Sequence, residues 1–250
     1  MHFDPLILIP SFNNPSYVRG MVAQLQERAC RRIRIVDNAS STPEMLVCLQ
    51  QMETQGVEVL HCSENSGPRL FLDAAFYAAL PEYFVITDPD LALNPQLPAT
   101  FLEDLLALTE QYQIGKAGFA LDISDRAALR PERFAIGDKE FTIWEWEEKF
   151  WTQPLPPLPG GDPVYNANID TTFALYNKRY FDPGQYRRAV RVAGRFTCRH
   201  LPWYRARSLP ARELRIYQKT QRYSYYLPSP PSRLSWQALL GYLLRRDRIR

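Results

Sequence analysis

Short apolar runs and stretches of helical spacing alternate along the first half of the chain. Four of the runs contain β-branched or aromatic residues and end in polar or turn residues, which predicts strands at residues 6–9, 33–36, 57–60 and 83–86. Between them, apolar residues three and four positions apart predict helices. Parallel strands need crossovers of this length, so the pattern predicts an α/β fold with a mostly parallel sheet covered by helices on both faces.

The alternation ends after a fourth predicted helix at residues 101–111 and a strand near residues 117–121. Residues 122–163 mix charges, aromatic residues and a proline-rich run, which is typical of an insertion that shapes a pocket. Strand-like sequence returns at residues 172–176 and is expected to rejoin the sheet.

The C-terminal end of the chain differs from the rest. Prolines at residues 227–232 interrupt regular structure, and the residues after them place Trp, Leu and Tyr beside four arginines. We therefore expect one domain at residues 1–226, in two halves at 1–121 and 122–226, followed by a basic amphipathic tail at residues 227–250. Such a helix can lie on an anionic membrane surface or pack against its own domain.

Composition narrows the class of protein. The chain has 250 residues and is 46% hydrophobic and 23% charged, which suits one large domain and excludes a fibrous or wholly disordered chain. Its four cysteines form no CxxC pair, so a reducing, cytosolic setting is favoured over a disulfide framework or a zinc ribbon. No apolar stretch approaches the roughly 20 residues that cross a bilayer, so we expect no membrane span.

The net charge of +3 conceals a strong asymmetry. Residues 1–178 carry 13 Lys and Arg against 24 Asp and Glu, whereas residues 179–250 carry 17 against 3, and 16 of those 17 are arginine. Arginine suits bidentate contact with phosphate. Charge alone admits a nucleoside diphosphate, nucleic acid or an anionic membrane as partner.

Two acidic residues follow the strand predicted at residues 83–86. Asp88 and Asp90 are separated by Pro89, and in extended chain residues two apart point to the same side. Ligands bind where the strands of open α/β sheets end, and paired carboxylates suit a hard divalent cation such as Mg²⁺ or Mn²⁺. The alternative is a polar turn in which an Asp caps the backbone.

Polar sequence also follows the other predicted strands. Strand one ends in Pro10-Ser11-Phe12-Asn13-Asn14, and strand two ends in Asp37-Asn38-Ala39-Ser40. Strand three is followed by Asn65-Ser66-Gly67-Pro68-Arg69, a turn with a cation before the next helix. Such residues are common in turns and helix caps, but here they line one crevice, where Asp37 could accept hydrogen bonds from a ribose hydroxyl or a base.

These motifs resemble the GT-A nucleotide-sugar glycosyltransferases, and among them the inverting family two of bacterial surface-polysaccharide enzymes. The resemblance covers roughly residues 5–205 and rests on residues 8–13, 35–41, 65–67 and 88–90 and on His200. It implies a nucleotide-binding half at residues 1–121 and an acceptor-side half at residues 122–226. It also implies a nucleotide-sugar site formed by Pro10, Ser11, Phe12, Asn13, Asp37, Asn65, Gly67, Arg69, Asp88 and Arg199, and a site for Mn²⁺ or Mg²⁺ formed by Asp88, Asp90 and His200.

The catalytic base is expected at Asp170. Members of the family usually place a Glu-Asp pair before the helix that carries the base, whereas this chain has Asn168-Ile169-Asp170-Thr171-Thr172. Asp170 is chosen by its position and because proton transfer needs a carboxylate near the acceptor hydroxyl; a helix cap or turn is its alternative. Competing carboxylates are Asp122, Asp125, Glu145, Glu147 and Glu148. The aromatic residues at 141–151 could form a platform for an acceptor sugar or pack in the core.

The resemblance implies a metal-dependent hexosyl- or N-acetylhexosaminyl-transferase of surface-polysaccharide synthesis. Its donor would be a nucleotide sugar, UDP-linked by first expectation, its acceptor a glycan or lipid-linked saccharide, and its place the cytoplasm or the inner face of the membrane. Nucleic acid is not expected. The alternatives are a silent GT-A-like module that binds membranes or polysaccharides, and a sugar nucleotidyltransferase, which would need a glycine-rich phosphate loop that residues 11–15 do not provide.

Overall fold

The structure is a computed structural model that describes residues 3–69, 72–206 and 208–220. Its helices are α1 (Pro15–Glu27), α2 (Pro43–Thr54), α3 (Ala74–Ala79), α4 (Phe101–Gln111), α5 (Ile143–Glu147) and α6 (Ala211–Thr220). Its strands are β1 (Leu6–Ser11), β2 (Ile33–Asp37), β3 (Glu58–His61), β4 (Tyr83–Ile86), β5 (Leu91–Leu93), β6 (Lys116–Phe119), β7 (Phe134–Ile136), β8 (Lys139–Phe141), β9 (Pro154–Leu155), β10 (Val164–Asn166), β11 (Ala174–Asn177), β12 (Val190–Val192) and β13 (Cys198–His200).

A nine-stranded sheet organises the fold, with the strand order β3-β2-β1-β4-β11-β6-β12-β10-β9. β1 to β4 are parallel to one another, and only β10 and β11 run against the other strands of this sheet. The α/β class with a mostly parallel sheet, predicted from the alternating pattern, is confirmed. β11 lies between β4 and β6 and therefore joins the two halves of the sheet.

The central strands of the sheet are buried on both faces, because every residue of β1, β6 and β11 is buried and successive side chains point to opposite faces. In β1, Ile7 and Ile9 belong to the apolar cluster that also includes residues of α1, α2 and α4, whereas Leu6 and Leu8 belong to the cluster on the other face. The Phe84 and Tyr176 rings stack in the second cluster with centroids 4.9 Å apart. Because apolar side chains pack against both faces of the central strands, the ends of these strands are held in fixed positions, and a binding site can form there.

Residues 122–163 form short elements rather than an irregular insertion. β7 and β8 make a hairpin, α5 follows, and β9 is the edge strand that pairs with β10. Pro154 lies in β9, and an edge is where proline, which has no N–H to donate, is tolerated in a sheet. α3 begins at Ala74, because the Asp73 side chain accepts a hydrogen bond from the Phe76 N–H at 2.7 Å and caps the helix there.

Two predictions concern the membrane and the tail. Among the described residues, none of the helices has the length and apolar character needed to cross a membrane. The amphipathic tail predicted at residues 227–250 lies outside the described residues. The boundary of the main domain at residue 226 therefore stays a prediction, as do its two halves.

Candidate active site

The ends of four strands meet at one edge of the sheet. Ser11, at the end of β1, is in register with Asp37, at the end of β2. β4 ends at Ile86, which is paired with Ala174 at the start of the antiparallel strand β11. This register brings the loops that follow β1, β2 and β4, and the loop that precedes β11, to the same side of the molecule.

Asp88, Asp90 and His200 form a cluster at the end of β4, called the acidic cluster below. Their ligand atoms all lie within 4.8 Å of one another. His200 Nε2 lies 3.3 Å from Asp90 Oδ2, and a two-stranded ribbon holds it there, because His200 in β13 pairs with Leu91 in β5 and the Leu201 N–H donates to the Asp90 carbonyl at 2.9 Å. Residues that are 110 positions apart in the sequence therefore meet.

The electrostatics of this cluster are strongly perturbed. Burial and the neighbouring charge of Asp90 raise the pKa of Asp88 to about 7. Burial alone would lower the pKa of His200, but the charges of Asp90 and Asp88 and the hydrogen bond to Asp90 outweigh it and raise that pKa. Two carboxylates repel each other here, and a cation would relieve that repulsion.

The cluster fits a divalent metal ion. Carboxylate oxygens and an imidazole nitrogen are ligands that Mn²⁺ accepts, and the carboxylates also suit Mg²⁺. Asp90 Oδ1 is buried and has no hydrogen-bond partner among the described residues, so this oxygen is free to take a ligand. Asp88, Asp90 and His200 are therefore the residues that could hold a metal.

Asp170 lies in the loop before β11 and is held by Arg69. The Arg69 Nε–H donates to Asp170 Oδ1 at 2.8 Å, and Arg69 Nη2 donates to Oδ2. Burial alone would raise the pKa of Asp170, but the hydrogen bonds and charge of Arg69, with the charges of Arg187 and Lys116, lower it below its ordinary value. Asp170 is thus a carboxylate at neutral pH.

A hydrogen bond that the sequence did not indicate links this loop to the acidic cluster. The Thr171 hydroxyl donates to Asp88 Oδ2 at 3.0 Å. Since Thr171 directly follows Asp170, the position of the candidate base is tied to the position of the candidate metal ligand. Thr171 could have been noticed only by its place beside Asp170.

The loops after β1 and β2 are bonded to each other. The Asn13 side-chain oxygen accepts hydrogen bonds from the N–H groups of Ser41 at 2.9 Å and Thr42 at 3.1 Å, and the Asn13 N–H donates to Ser40 Oγ at 2.9 Å. Asn13 adopts a left-handed φ of 52°, which asparagine tolerates better than most residues. The two loops are therefore one rigid unit.

This unit contains buried polar atoms without partners. In this unit, five buried side-chain atoms have no hydrogen-bond partner among the described residues, namely Ser11 Oγ, Asn13 Nδ2, Asn14 Oδ1, Asp37 Oδ1 and Asn38 Oδ1. Buried polar groups are nearly always paired, so a ligand or ordered water bound here would supply the partners of these atoms. Asn14 and Asn38 were not singled out as site residues, although both lie in the motifs that drew attention to this edge.

The remaining predicted site residues have diverse positions. Pro10 is buried within β1, and Phe12 is half-buried in the loop that follows. Asn65 accepts a hydrogen bond from the Gly67 N–H at 3.0 Å, and Gly67 has a φ of 83°, so this pair forms the turn that leads to Arg69. Arg199 lies outside the acidic cluster. It precedes His200 in β13, so its side chain points to the opposite face of the strand, and its Nε–H donates to Asp122 Oδ2 at 3.1 Å.

Four of the five competing carboxylates, those of Asp122, Asp125, Glu145 and Glu147, are bonded to other groups. Asp122 accepts from Ser124 and Arg199, and Asp125 accepts from the Ala128 N–H. Glu145 completes a capping box with Thr142 at the start of α5, and Glu147 forms a buried ion pair with Arg191. Asp170 differs from these carboxylates, because the residue that follows it, Thr171, is hydrogen-bonded to Asp88 in the acidic cluster.

The aromatic residues at 141–151 pack largely on one another. Trp146 lies edge-to-face with Phe141 and Phe150, with ring centroids 5.5 Å and 5.9 Å apart. Lys149 Nζ lies 3.3 Å from the Phe141 ring centroid, and Trp144 packs against the core. These contacts favour packing over an acceptor platform for this group.

Comparisons with known proteins come from sequence and from structure. The model of the family described as Glycosyl transferase family 2 matches residues 6–148, and no curated protein sequence matches the chain. A mannosyltransferase, PcManGT from Pyrobaculum calidifontis in complex with GDP-Man and Mn²⁺, is 14% identical with a TM-score of 0.48, over 98% of this chain and 83% of that one. S. aureus TarS 1-349 is 14% identical with a TM-score of 0.41, over 72% of this chain and 51% of that one.

Proposed function

The chain belongs to glycosyl transferase family 2, and from that premise we propose that it transfers a sugar from a nucleoside-diphosphate sugar to a hydroxyl of a glycan or lipid-linked saccharide, with inversion at the anomeric carbon. One observation carries the proposal. The cluster of Asp88, Asp90 and His200 lies at the same sheet edge as the buried, unpartnered polar atoms after β1 and β2, and Thr171 links it to the loop of Asp170.

The two loops after β1 and β2 suit the nucleoside. Ser11, Asn13 and Asp37 offer polar atoms whose hydrogen-bonding capacity is unused within the described chain, and Asn14 and Asn38 extend the same set. Ribose hydroxyls and base edges would supply the missing partners. Because the loops are already bonded to each other, little ordering is needed on binding.

Asp88, Asp90 and His200 would hold the divalent metal. When bound, that ion neutralises charge on the diphosphate leaving group. Mn²⁺ and Mg²⁺ both suit the donor set.

Asp170 is proposed as the general base. Its carboxylate accepts the proton of the acceptor hydroxyl while the acceptor oxygen forms a bond to the anomeric carbon. The bond from that carbon to the diphosphate oxygen breaks on the opposite face, so a single displacement inverts the configuration. The bidentate contact from Arg69 orients the carboxylate and keeps it ionised.

The basic tail suggests where the reaction takes place. Arginines at residues 245, 246, 248 and 250 follow an apolar stretch, and each cation near anionic lipid contributes about 1 kcal/mol to membrane binding. We therefore propose a peripheral enzyme at the cytoplasmic face of a membrane, where a lipid-linked acceptor of surface-polysaccharide synthesis would be within reach.

A donor-hydrolysis assay tests the function. The full chain is incubated with Mn²⁺ and a panel of UDP- and GDP-sugars, and released nucleoside diphosphate is measured. A parallel incubation with UTP or GTP and a sugar 1-phosphate is assayed for pyrophosphate. We expect nucleoside diphosphate from at least one donor, and its loss in Asp88→Asn and Asp90→Asn. Asp138→Asn, an exposed aspartate in the hairpin of β7 and β8, is the matched control and keeps activity.

Two outcomes contradict the proposal. Release of pyrophosphate from a nucleoside triphosphate and a sugar phosphate would make the protein a nucleotidyltransferase. No product with any donor, with or without Mn²⁺, would favour a binding module without turnover.

A further inference from the structure

A lysine without solvent exposure lies next to the loop of the candidate base. Lys116 is the first residue of β6, and its relative exposure is 0%. Lysine is rarely fully buried in proteins, because removing an ammonium group from water costs several kcal/mol unless hydrogen bonds replace the hydration. An apolar side chain at this position would avoid that cost, so the contacts of the amine need explaining.

The amine of Lys116 is bonded to the backbone on which Asp170 lies. Lys116 Nζ donates to the carbonyl of Ile169 at 2.7 Å and lies 3.3 Å from the carbonyl of Asp170. The Arg191 Nε–H donates to the carbonyl of Asn168 at 2.8 Å. Three consecutive carbonyls of the loop are therefore held by two buried cationic side chains.

The position of Lys116 is itself fixed by the sheet. β6 pairs with β11, and Lys116 is in register with Tyr176. The Tyr176 ring centroid lies 5.1 Å from Lys116 Nζ, and the Tyr186 ring centroid lies 6.0 Å from it, distances at which an aromatic face attracts a cation. The amine thus connects the middle of the sheet to the loop that carries Asp170.

We propose that Lys116 is a positioning residue, which fixes the backbone of residues 169 and 170 so that the Asp170 carboxylate faces the acceptor hydroxyl. This inference rests on the proposed role of Asp170. Lys116 acts through Asp170 and not on the substrate: Arg69 sets the direction of the carboxylate, and Lys116 sets where its main chain lies. A displacement of about 1 Å at a reacting group can cost about 100-fold in rate.

The test begins with Lys116→Met, which keeps the length of the side chain and removes its donors. Donor hydrolysis with Mn²⁺ and the active UDP- or GDP-sugar should fall about 10- to 100-fold. Binding of Mn²⁺ with UDP or GDP, measured by calorimetry, should stay within about twofold, because the described bonds of the Lys116 amine go to the carbonyls of Ile169 and Asp170. Lys178→Met is the matched control, since Lys178 Nζ also bonds two carbonyls, of Ala78 and Leu80, and lies near a tyrosine ring; it should retain full turnover.

A double-mutant cycle separates positioning from general stability. In the Asp170→Asn background, Lys116→Met should cause no further loss, because the group that it positions is no longer a base. Equal loss in both backgrounds, or no loss in either, overturns the inference. If Lys116→Met does not fold, Lys116→Gln, which keeps N–H donors in a neutral side chain, enters the same cycle and should lose less activity.

The proposed function can fail separately from this inference. If the unmodified chain releases no nucleoside diphosphate, or if Asp170→Asn keeps full turnover, the proposed function or its base is wrong. If the chain is active and Asp170→Asn is impaired but the cycle is additive, only the role of Lys116 is wrong.

Discussion

Arg69 both helps and limits Asp170 as a base. By lowering the pKa of the carboxyl group, the guanidinium keeps Asp170 ionised at neutral pH, and it also weakens the affinity of that carboxylate for a proton. Fixed orientation offsets the weaker basicity, because a bidentate contact leaves the carboxylate little freedom to turn away.

The role of Asp170 as the base can be tested by removing its carboxylate. Asp170→Asn should lower turnover about 10²- to 10⁴-fold, the usual cost of losing general-base catalysis, while the affinity for Mn²⁺ with UDP or GDP is kept. Steady-state donor hydrolysis and calorimetry measure the two quantities. Asp122→Asn, which removes a carboxylate bonded to an arginine outside the acidic cluster, should leave turnover unchanged; unchanged turnover in Asp170→Asn would exclude it from the mechanism.

The buried amine of Lys116 predicts a pH dependence of stability. Burial lowers the pKa of Lys116 from 10.5 to about 7, so between these values the unfolded chain binds a proton here that the folded chain does not. The free energy of unfolding therefore rises with pH across that window. In Lys116→Met this rise should be smaller by up to about 1.4 kcal/mol per pH unit, measured by urea unfolding of both proteins at pH 7.5 and 9. Parallel pH dependences would show that the amine is not desolvated.

Single residues also show where sequence reasoning stops. Asp88 and Asp90 could be paired from the sequence because they are two positions apart in extended chain. His200 came from a family resemblance, and the ribbon of β5 and β13 that brings it to Asp90 left no periodic signal. Lys116 and Thr171 could not be given roles, because their partners are set by strand pairing between distant parts of the chain.

Among the secondary-structure elements, the pattern of apolar residues in the sequence predicted the long, buried strands and helices well. β1, β2, β4 and α4 were found at nearly their observed bounds, because each carries its own run of apolar residues. The strands β5, β10, β12 and β13, of three residues each, were not predicted. Such strands are stabilised by their neighbours in the sheet, so their own sequence contains too few residues for a pattern.

Replacement by alanine is expected to have opposite effects on stability at two glycines, one in a strand and one in a helix. A Cβ at Gly118 in β6 would lie 2.3 Å from the Phe173 carbonyl oxygen and 2.7 Å from the Ala174 Cβ, so Gly118→Ala should destabilise the protein by about 1–3 kcal/mol. Gly20, in the exposed part of α1, has nothing within 4 Å of the added atom, and Gly20→Ala should stabilise it by about 0.5–1 kcal/mol. Urea unfolding measures both. A neutral Gly118→Ala would mean that β6 and β11 are less closely packed than described.

Across the protein as a single body, charge is distributed unevenly along the sequence. The acidic first 178 residues include the candidate metal ligands Asp88 and Asp90, whereas positive charge accumulates towards residue 250. An anionic surface would attract the second part and repel the first. This predicts an orientation on a membrane, with the end of the chain nearest the lipid.

Vesicle binding tests that orientation. The full chain should bind vesicles containing phosphatidylserine and not neutral phosphatidylcholine vesicles, and the binding should weaken as salt rises. Replacing four tail arginines should weaken it roughly 100- to 1000-fold, in the variant Arg245→Gln, Arg246→Gln, Arg248→Gln and Arg250→Gln. A control with the same change of charge on exposed arginines of the main domain should bind far better, in the variant Arg19→Gln, Arg31→Gln, Arg188→Gln and Arg215→Gln. Equal weakening in the two variants would contradict a role for the tail.

The position of β11 determines when the two halves of the sheet can join during synthesis. β4 and β6 are both made before β11 and do not pair with each other. β4 lacks its second neighbour until residues 174–177 are made, and β6 lacks both neighbours, because β12 is made later still. A nascent chain that stops before this point exposes unpaired edges of both strands, which invite aggregation. Because the loop before β11 carries Asp170, the strand that joins the two halves of the sheet also places the candidate base, so a chain in which β11 has not paired lacks a positioned base.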